Sequence, residues 1–333
     1  MNYSTDKENL GTNKVSWLNY YDKIEVLSAE DEIYEGLKAE KKFISPKYFY
    51  NELGSELFEQ ITHLKEYYPS RTEKKLLAEV APLLSIDFNG INIMELGSGD
   101  SSKITILLEH LSSETLASIH YYPMDISFSA IEKAVKQIEA DFTLKAITAI
   151  VADFVTQLKF VPKIKNRLFC FFGSTIGNLN VQERNLFLQE LALIMEPDDY
   201  LLIGMDNVKN KSVLEAAYND SMGITADFNK NILSVCNKIV GTHFNTEDFD
   251  HYAFYNEDKA RIEMHLKANK DVITSIGDGE ETLFIRKGNT IHTENSHKFS
   301  LKHIESMAST ANLQIKQVFQ DEKKWFSLVL FTK

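Results

Sequence analysis

The chain has 333 residues, 44% hydrophobic and 25% charged, the balance of a globular protein rather than a disordered or fibrous one. Lys and Arg number 36 against 48 Asp and Glu, and a net charge of −12 argues against a nucleic-acid binder held by phosphate contacts. The 2 cysteines, Cys170 and Cys236, sit in apolar or helical runs and point to a reduced, cytoplasmic chain.

The stretch Met1–Asn9 is polar and carries no apolar core of a signal peptide. No apolar run approaches a membrane span; Leu168–Ile176 and Trp325–Phe331 are strand-sized. Residues 72–207 alternate helical and strand signals in the manner of a parallel α/β sheet. Thr72–Leu84 reads as a helix, and Ile91–Leu96 as a strand running into Gly97-Ser98-Gly99-Asp100. A helix over Lys103–Leu111 precedes a strand, Ile119–Ile126, that carries Asp125 near its end. After a helix over Ala130–Ala140, the strand Ala149–Asp153 also closes on an acid. Leu168–Phe172 leads to Gly173-Ser174-Thr175-Ile176-Gly177-Asn178, followed by a helix over Val181–Met195 and a strand over Tyr200–Met205.

Beyond Asp206 the rhythm changes. Helices are predicted near Ser212–Tyr218 and Thr225–Val240, then strand-like segments from Ala253 through Lys267, Glu281–Lys287 and Thr290–Glu294. The chain ends on a helix, Leu301–Leu313, and a hairpin of Ile315–Phe319 with Trp325–Phe331. The expected fold is therefore α/β, with one doubly wound sheet from 72–207 and 298–333. Residues 1–71 and 208–297 would form a second, smaller α+β lobe over the sheet's C-terminal edge.

The turn Glu95-Leu96-Gly97-Ser98-Gly99 is the most informative local signal. It follows a strand, precedes a helix, and has acids at the ends of the next two strands, where ligands sit in open α/β sheets. A dinucleotide site would prefer Gly at position 102, which is Ser, and would not welcome Asp100. Glu95 also reads better beside a cationic ligand. S-adenosylmethionine fits this loop: Asp125 can accept from both ribose hydroxyls, and Asp153-Phe154 can meet the adenine. A glycine turn with capping acids and no ligand is the plain alternative.

Together these motifs resemble a class I S-adenosylmethionine-dependent methyltransferase with a Rossmann-like sheet. More narrowly, they resemble the histidine-specific Nα-methyltransferases of ergothioneine biosynthesis. The stretch Tyr48-Phe49-Tyr50-Asn51-Glu52-Leu53-Gly54-Ser55-Glu56-Leu57-Phe58, followed by Glu66-Tyr67-Tyr68-Pro69-Ser70-Arg71, is a specific match. Ala217-Tyr218, Thr225 to Asn229, Arg261 to Leu266 and Thr293 to Phe299 follow in the family's order, so the similarity spans roughly residues 45–333. It implies cofactor-side roles for Tyr50, Gly97, Lys103, Asp125, Asp153 and Phe154. It implies that Tyr67, Asn178 and Tyr218 hold the amino acid's carboxylate and amine, and that Met264, Glu294 and Ser296 recognise its imidazole. The implied reaction is threefold methylation of the α-amino nitrogen of L-histidine to hercynine; Tyr50 is expected, as the catalytic candidate, to contact the amine region and assist orientation or proton departure without acting as an obligatory base.

The residues make chemical sense of that. Glu294 can take one imidazole N–H while Ser296 serves the other nitrogen, and residues two apart on a strand share a face. Taken singly, each has a plainer reading: a solvated edge strand, a turn Asn at 178, core tyrosines at 50, 67 and 218. His292, His297 and His303 lack compact ligand spacing, so no metal is expected. Asn295 and His297 depart from the family's expected pattern and should face away from Glu294 and Ser296. The alternatives are methylation of a tryptophan derivative or a histidine ring nitrogen, or a non-catalytic cofactor-binding subunit. Partners beyond a small-molecule substrate, nucleic acid and membrane included, are not expected; the sequence leaves the oligomeric state open, a monomer being plausible.

Overall fold

The structure is a computed structural model that describes residues 14–21, 28–277 and 281–333. The polar stretch Met1–Asn9 lies outside them. The strands, in chain order, are β1 Lys14–Asn19, β2 Asn92–Leu96, β3 His120–Asp125, β4 Ala146–Val151, β5 Arg167–Phe171, β6 Tyr200–Asp206 and β7 Phe249–Asn256. They continue as β8 Arg261–Ala268, β9 Val272–Ile276, β10 Glu281–Ile285, β11 Thr290–His297, β12 Gln314–Gln320 and β13 Phe326–Thr332. The described residues fall into two compact units. One lies within Met1–Ile24, Pro69–Asn207 and Phe299–Lys333, the other within Glu25–Tyr68 and Val208–Lys298.

The first unit is an eight-stranded sheet in the order β1-β4-β3-β2-β5-β6-β13-β12. Strands β1 to β6 pair in parallel, and the terminal hairpin of β12 and β13 runs antiparallel to β6. Both faces are buried, which is why these strands read as apolar runs rather than alternations. Ile93, Leu168, Leu202 and Leu328 pack on one face with the helices Tyr68–Val80, Ser102–Leu108 and Phe128–Asp141. Their neighbours Met94, Phe169, Ile203 and Val329 pack on the other with Val181–Ile194 and Leu301–Ala311. The chain moves outward from β2 through β3 to β4 and then returns to β5 on the other side of β2. That reversal creates a switch point at the C-terminal end of β2.

The second unit holds an antiparallel sheet in the order β11-β8-β7, a hairpin of β9 and β10, and helices including Glu52–His63, Lys211–Tyr218 and Ile224–Ile239. The structure departs from the expected organisation at the N-terminal side. Lys14–Asn19 is not part of the second unit but an edge strand of the large sheet. It pairs with β4, Ser16 Oγ lies 2.9 Å from Thr148 Oγ1, and Val15 and Trp17 lie against the core. Strand β9 lies in a stretch for which the sequence predicts no strand. No helix among the described residues is long and apolar enough to cross a membrane, and both cysteines are buried free thiols.

Glu95 is a correction. Expected beside a cationic ligand, it lies in the core, 2% exposed, and accepts a hydrogen bond from the buried Tyr121 hydroxyl. Burial raises its pKa to about 8, against the pull of the Tyr121 bond. The folded protein thus holds this proton over a range where the unfolded chain has released it, and the stability contribution falls as pH rises from the unfolded to the folded value. Glu95→Gln is therefore expected to melt above the wild type at about pH 9, by roughly 5 °C or more, with the gap shrinking near about pH 5. An equal difference at both pH values in thermal denaturation would contradict this.

Candidate active site

In the first unit the strand-to-helix turn after β2 carries three left-handed residues, Gly97 at φ 72°, Gly99 at φ 49° and Ser101 at φ 56°. Gly97 takes the left-handed backbone that favours glycine, and the Phe154 ring lies in ordinary contact, 3.4 Å, with the place a Cβ would occupy. Asp125, at the end of β3, ties down the turn: Gly99 N–H donates to its Oδ2 at 3.1 Å and Ser127 N–H to its Oδ1 at 3.0 Å. Burial raises the Asp125 pKa, and these backbone donors oppose the rise. Asp153 follows β4 and accepts from Val155 N–H at 2.8 Å, while Phe154 packs edge-on to Phe171 at 5.2 Å. A turn open at glycine, a carboxylate at the end of β3 and an aromatic ring after β4 form a cradle that fits an adenosine without phosphates.

Lys103 lies one residue into the helix beyond the turn, 3.3 Å from Glu73 Oε2. Burial works against its charge, but Glu73 and Asp100 outweigh that and raise its pKa. Glu73 is fully buried, accepts from Gly173 N–H at 2.9 Å, and lies against Gly204, where a Cβ would collide with its carboxylate. One carboxylate therefore fixes both the ammonium and the loop after β5. That loop carries Gly173 at φ 80°, Ser174 at φ 55° and Asn178 at the end of the turn Thr175–Asn178. In sequence, nothing in the helical TEKK run distinguishes Glu73 from a solvated acid.

The second unit gathers Tyr50, Tyr67, Tyr218, Met264, Glu294 and Ser296. Asn51 caps the helix Glu52–His63 by accepting from Gly54 N–H at 2.8 Å, and also accepts from Asn231 Nδ2 at 2.8 Å. A Cβ at Gly54 would collide with the Phe49 carbonyl, which explains the glycine in this motif. Tyr50 packs edge-on to Phe58, Phe58 to Tyr67, and Tyr67 to Tyr218, at centroid distances of 5.7, 6.3 and 6.0 Å. Phe58, the link in this chain, was not singled out as a site residue.

On β11, Glu294 stands opposite Met264 and Ser296 opposite Ile262, so the two polar side chains share a face as their spacing implied. The register shifts between His292 and Glu294. Thr293 accounts for it: its hydroxyl lies 2.6 Å from Asn229 Oδ1 and 3.1 Å from the Met264 carbonyl, inside the unit rather than in the ladder rhythm. Tyr218 Oη donates to Ser296 Oγ at 2.8 Å, and the Lys298 ammonium donates to Ser296 Oγ at 2.8 Å and to Tyr218 Oη at 3.1 Å. Glu294 is 8% exposed; burial raises its pKa to about 7, with Lys298 pulling the other way.

Asn295 lies opposite Glu263 on the other face, away from Glu294 as expected. That face carries Glu263, His265 and His292, whose ligand-type atoms all lie within 4.8 Å of one another. Arg261 occupies Glu263 Oε1 at 2.7 and 2.9 Å, and His265 Nε2 lies 3.3 Å from Oε2. Against its burial, these partners hold Glu263 at about 2, with Arg261 as its ion-pair partner and burial lowering the pKa of both His265 and His292.

A sequence model of the family described as histidine-specific, SAM-dependent methyltransferases matches residues 29–333. The chain is 37% identical over 311 residues to a histidine N-alpha-methyltransferase of Mycobacterium tuberculosis, covering 92% of this chain and 95% of that one. It is 34% identical over 273 residues to ergothioneine biosynthesis protein 1 of Neurospora crassa, covering 80% of this chain and 30% of that protein. A 4-dimethylallyltryptophan N-methyltransferase of Aspergillus fumigatus is 27% identical over 308 residues, covering 86% of this chain and 88% of the relative.

Replacing Glu73 tests the first unit. Glu73→Ala leaves a buried N–H at Gly173 and an ammonium at Lys103 without their carboxylate, and is expected to destabilise the protein by about 3 kcal/mol in denaturant unfolding. A change within about 0.5 kcal/mol would show that Glu73 does not organise this loop.

Proposed function

The chain belongs to the histidine-specific, S-adenosylmethionine-dependent methyltransferases, and from that membership we propose that it methylates the α-amino nitrogen of L-histidine, three times, to give hercynine, a step of ergothioneine biosynthesis. The observation that carries the substrate reading is the buried pair of Glu294 and Ser296 on one face of β11, with Met264 opposite Glu294. Bound S-adenosylmethionine supplies an electrophilic methyl carbon on a sulfonium with a good leaving group.

The residues of the first unit hold the cofactor in this reading. Asp125 accepts from the ribose hydroxyls, Asp153 and Phe154 take the adenine, Gly97 leaves room for backbone approach, and the Lys103 ammonium takes the amino-acid carboxylate. In the second unit Glu294 accepts an imidazole N–H and Ser296 serves the other ring nitrogen. There Tyr67 takes the carboxylate and amine of the substrate, a role the family resemblance gives to Asn178 as well. Tyr218 was placed with them by resemblance, but its hydroxyl is joined to Ser296, so we group it with imidazole recognition.

Tyr50 orients the amine and assists departure of its proton without acting as an obligatory base. The α-amino group must lose its proton to reach its neutral, nucleophilic form. Most of the rate then comes from alignment. Aromatic rings such as Tyr50, Phe58 and Tyr67 suit the cationic dimethylated and trimethylated stages. An indole would leave the second partner of the Glu294–Ser296 pair unmatched, which weighs against a tryptophan derivative.

Purified protein incubated with S-adenosylmethionine and a panel of amino acids should add one, two and three methyl masses to histidine alone, with fragmentation placing them on the α-nitrogen. Methylation of tryptophan at a comparable rate, or of a ring nitrogen, would contradict the reading. The double variant Glu294→Ala, Ser296→Ala should lower kcat/KM for histidine by about 100-fold or more. Because burial raises Glu294 to about 7 and its carboxylate is the acceptor, KM for histidine should rise as pH falls below that value, and Glu294→Gln should leave only the part of that rise that comes from protonation of the substrate imidazole.

A further inference from the structure

Lys298 follows Ser296 by two residues and is 1% exposed. Its ammonium lies 2.8 Å from Ser296 Oγ, 3.1 Å from Tyr218 Oη and 4.9 Å from the centre of the Tyr218 ring. An ammonium only donates hydrogen bonds. Tyr218 Oη accepts from it and passes its own proton to Ser296 Oγ at 2.8 Å. Ser296 Oγ therefore accepts twice, which fills both lone pairs of a hydroxyl oxygen. What remains to it is its own proton.

We infer that Lys298 is a positioning residue that makes Ser296 an obligate hydrogen-bond donor, so that the second unit selects the neutral imidazole in the tautomer whose N–H meets Glu294. This rests on the histidine reading above. A neutral imidazole offers one N–H and one lone pair, matching a carboxylate and a hydroxyl proton. An imidazolium offers two N–H groups, and its second would meet the Ser296 proton. As the cation beside Glu294, Lys298 also favours the ionised carboxylate that the N–H requires. Among the described residues of this unit, the titratable groups about Ser296 include Glu294, Lys298 and Tyr218, with His251 behind the Tyr218 carbonyl, its Nε2 donating at 2.8 Å and burial lowering its pKa.

The test compares L-histidine with 2- and 3-linked pyrrolylalanine, which keep a ring N–H but have no acceptor nitrogen. The wild type should favour histidine by about 100-fold or more in kcat/KM. Lys298→Met frees a Ser296 lone pair and lets its proton turn away, so the preference should fall about tenfold, mainly through KM for histidine. Lys298→Gln, which retains an N–H donor, should restore part of it. Thermal melting and S-adenosylhomocysteine affinity establish that each variant is folded. A folded Lys298→Met with unchanged preference would overturn the inference. Should neither variant fold, nitrogen NMR of ring-labelled histidine bound to the wild type with S-adenosylhomocysteine decides: one protonated and one bare ring nitrogen is expected, and two protonated nitrogens would overturn it. Absence of histidine methylation by the wild type would overturn the histidine reading itself, and this inference with it.

Discussion

A lysine ammonium buried between two hydroxyls has one chemical direction to impose, since it donates and never accepts. Lys298 imposes it on Tyr218 and Ser296, and beside them it moderates the tendency of burial to keep Glu294 protonated. The surrounding elements keep these groups in register. The helix Lys211–Tyr218 ends on Tyr218, whose carbonyl accepts from His251; His251 Nδ1 accepts from Asn229; and Asn229 accepts from Thr293 at the register shift that precedes Glu294. A buried network of this kind has fixed donor and acceptor directions, which is what separates rings of similar size.

The first unit uses the same device with the opposite charge. Glu73, fully buried, gathers the Lys103 ammonium and the Gly173 N–H, and so joins the loop after β5 to the helix after β2. Asp125 joins the end of β3 to the glycine turn. These carboxylates hold backbone turns at the C-terminal ends of parallel strands, where the reversal of strand order leaves room for a ligand. A methyl transfer that needs little acid–base chemistry is well served by such rigidity, because alignment of nucleophile and electrophile sets the rate.

The large sheet was legible because its strands and helices differ in period, and because Gly97, Asp125 and Asp153 fall at strand ends. The pairing of Glu294 with Ser296 followed from alternation. Other features were not legible, for physical reasons. Lys14–Asn19 is a short edge strand whose apolar residues only partly bury, so its pattern is weak. Glu95 looks like a ligand-facing acid until Tyr121, 26 positions along, is seen to hold it in the core. The shift at Thr293 depends on Asn229, 64 residues away. Lys298 shares the Glu294–Ser296 spacing, but a lysine beside a strand end reads as solvated until its two hydroxyl partners are known.

The most direct measurement of the central claim is a crystal structure of the protein with S-adenosylhomocysteine and Nα,Nα-dimethylhistidine. One ring nitrogen is expected within hydrogen-bonding distance of Glu294 and the other within that distance of Ser296, with Lys298 still bound to Ser296 and Tyr218. An imidazole bound elsewhere, or rotated so that neither nitrogen meets these two side chains, would contradict it.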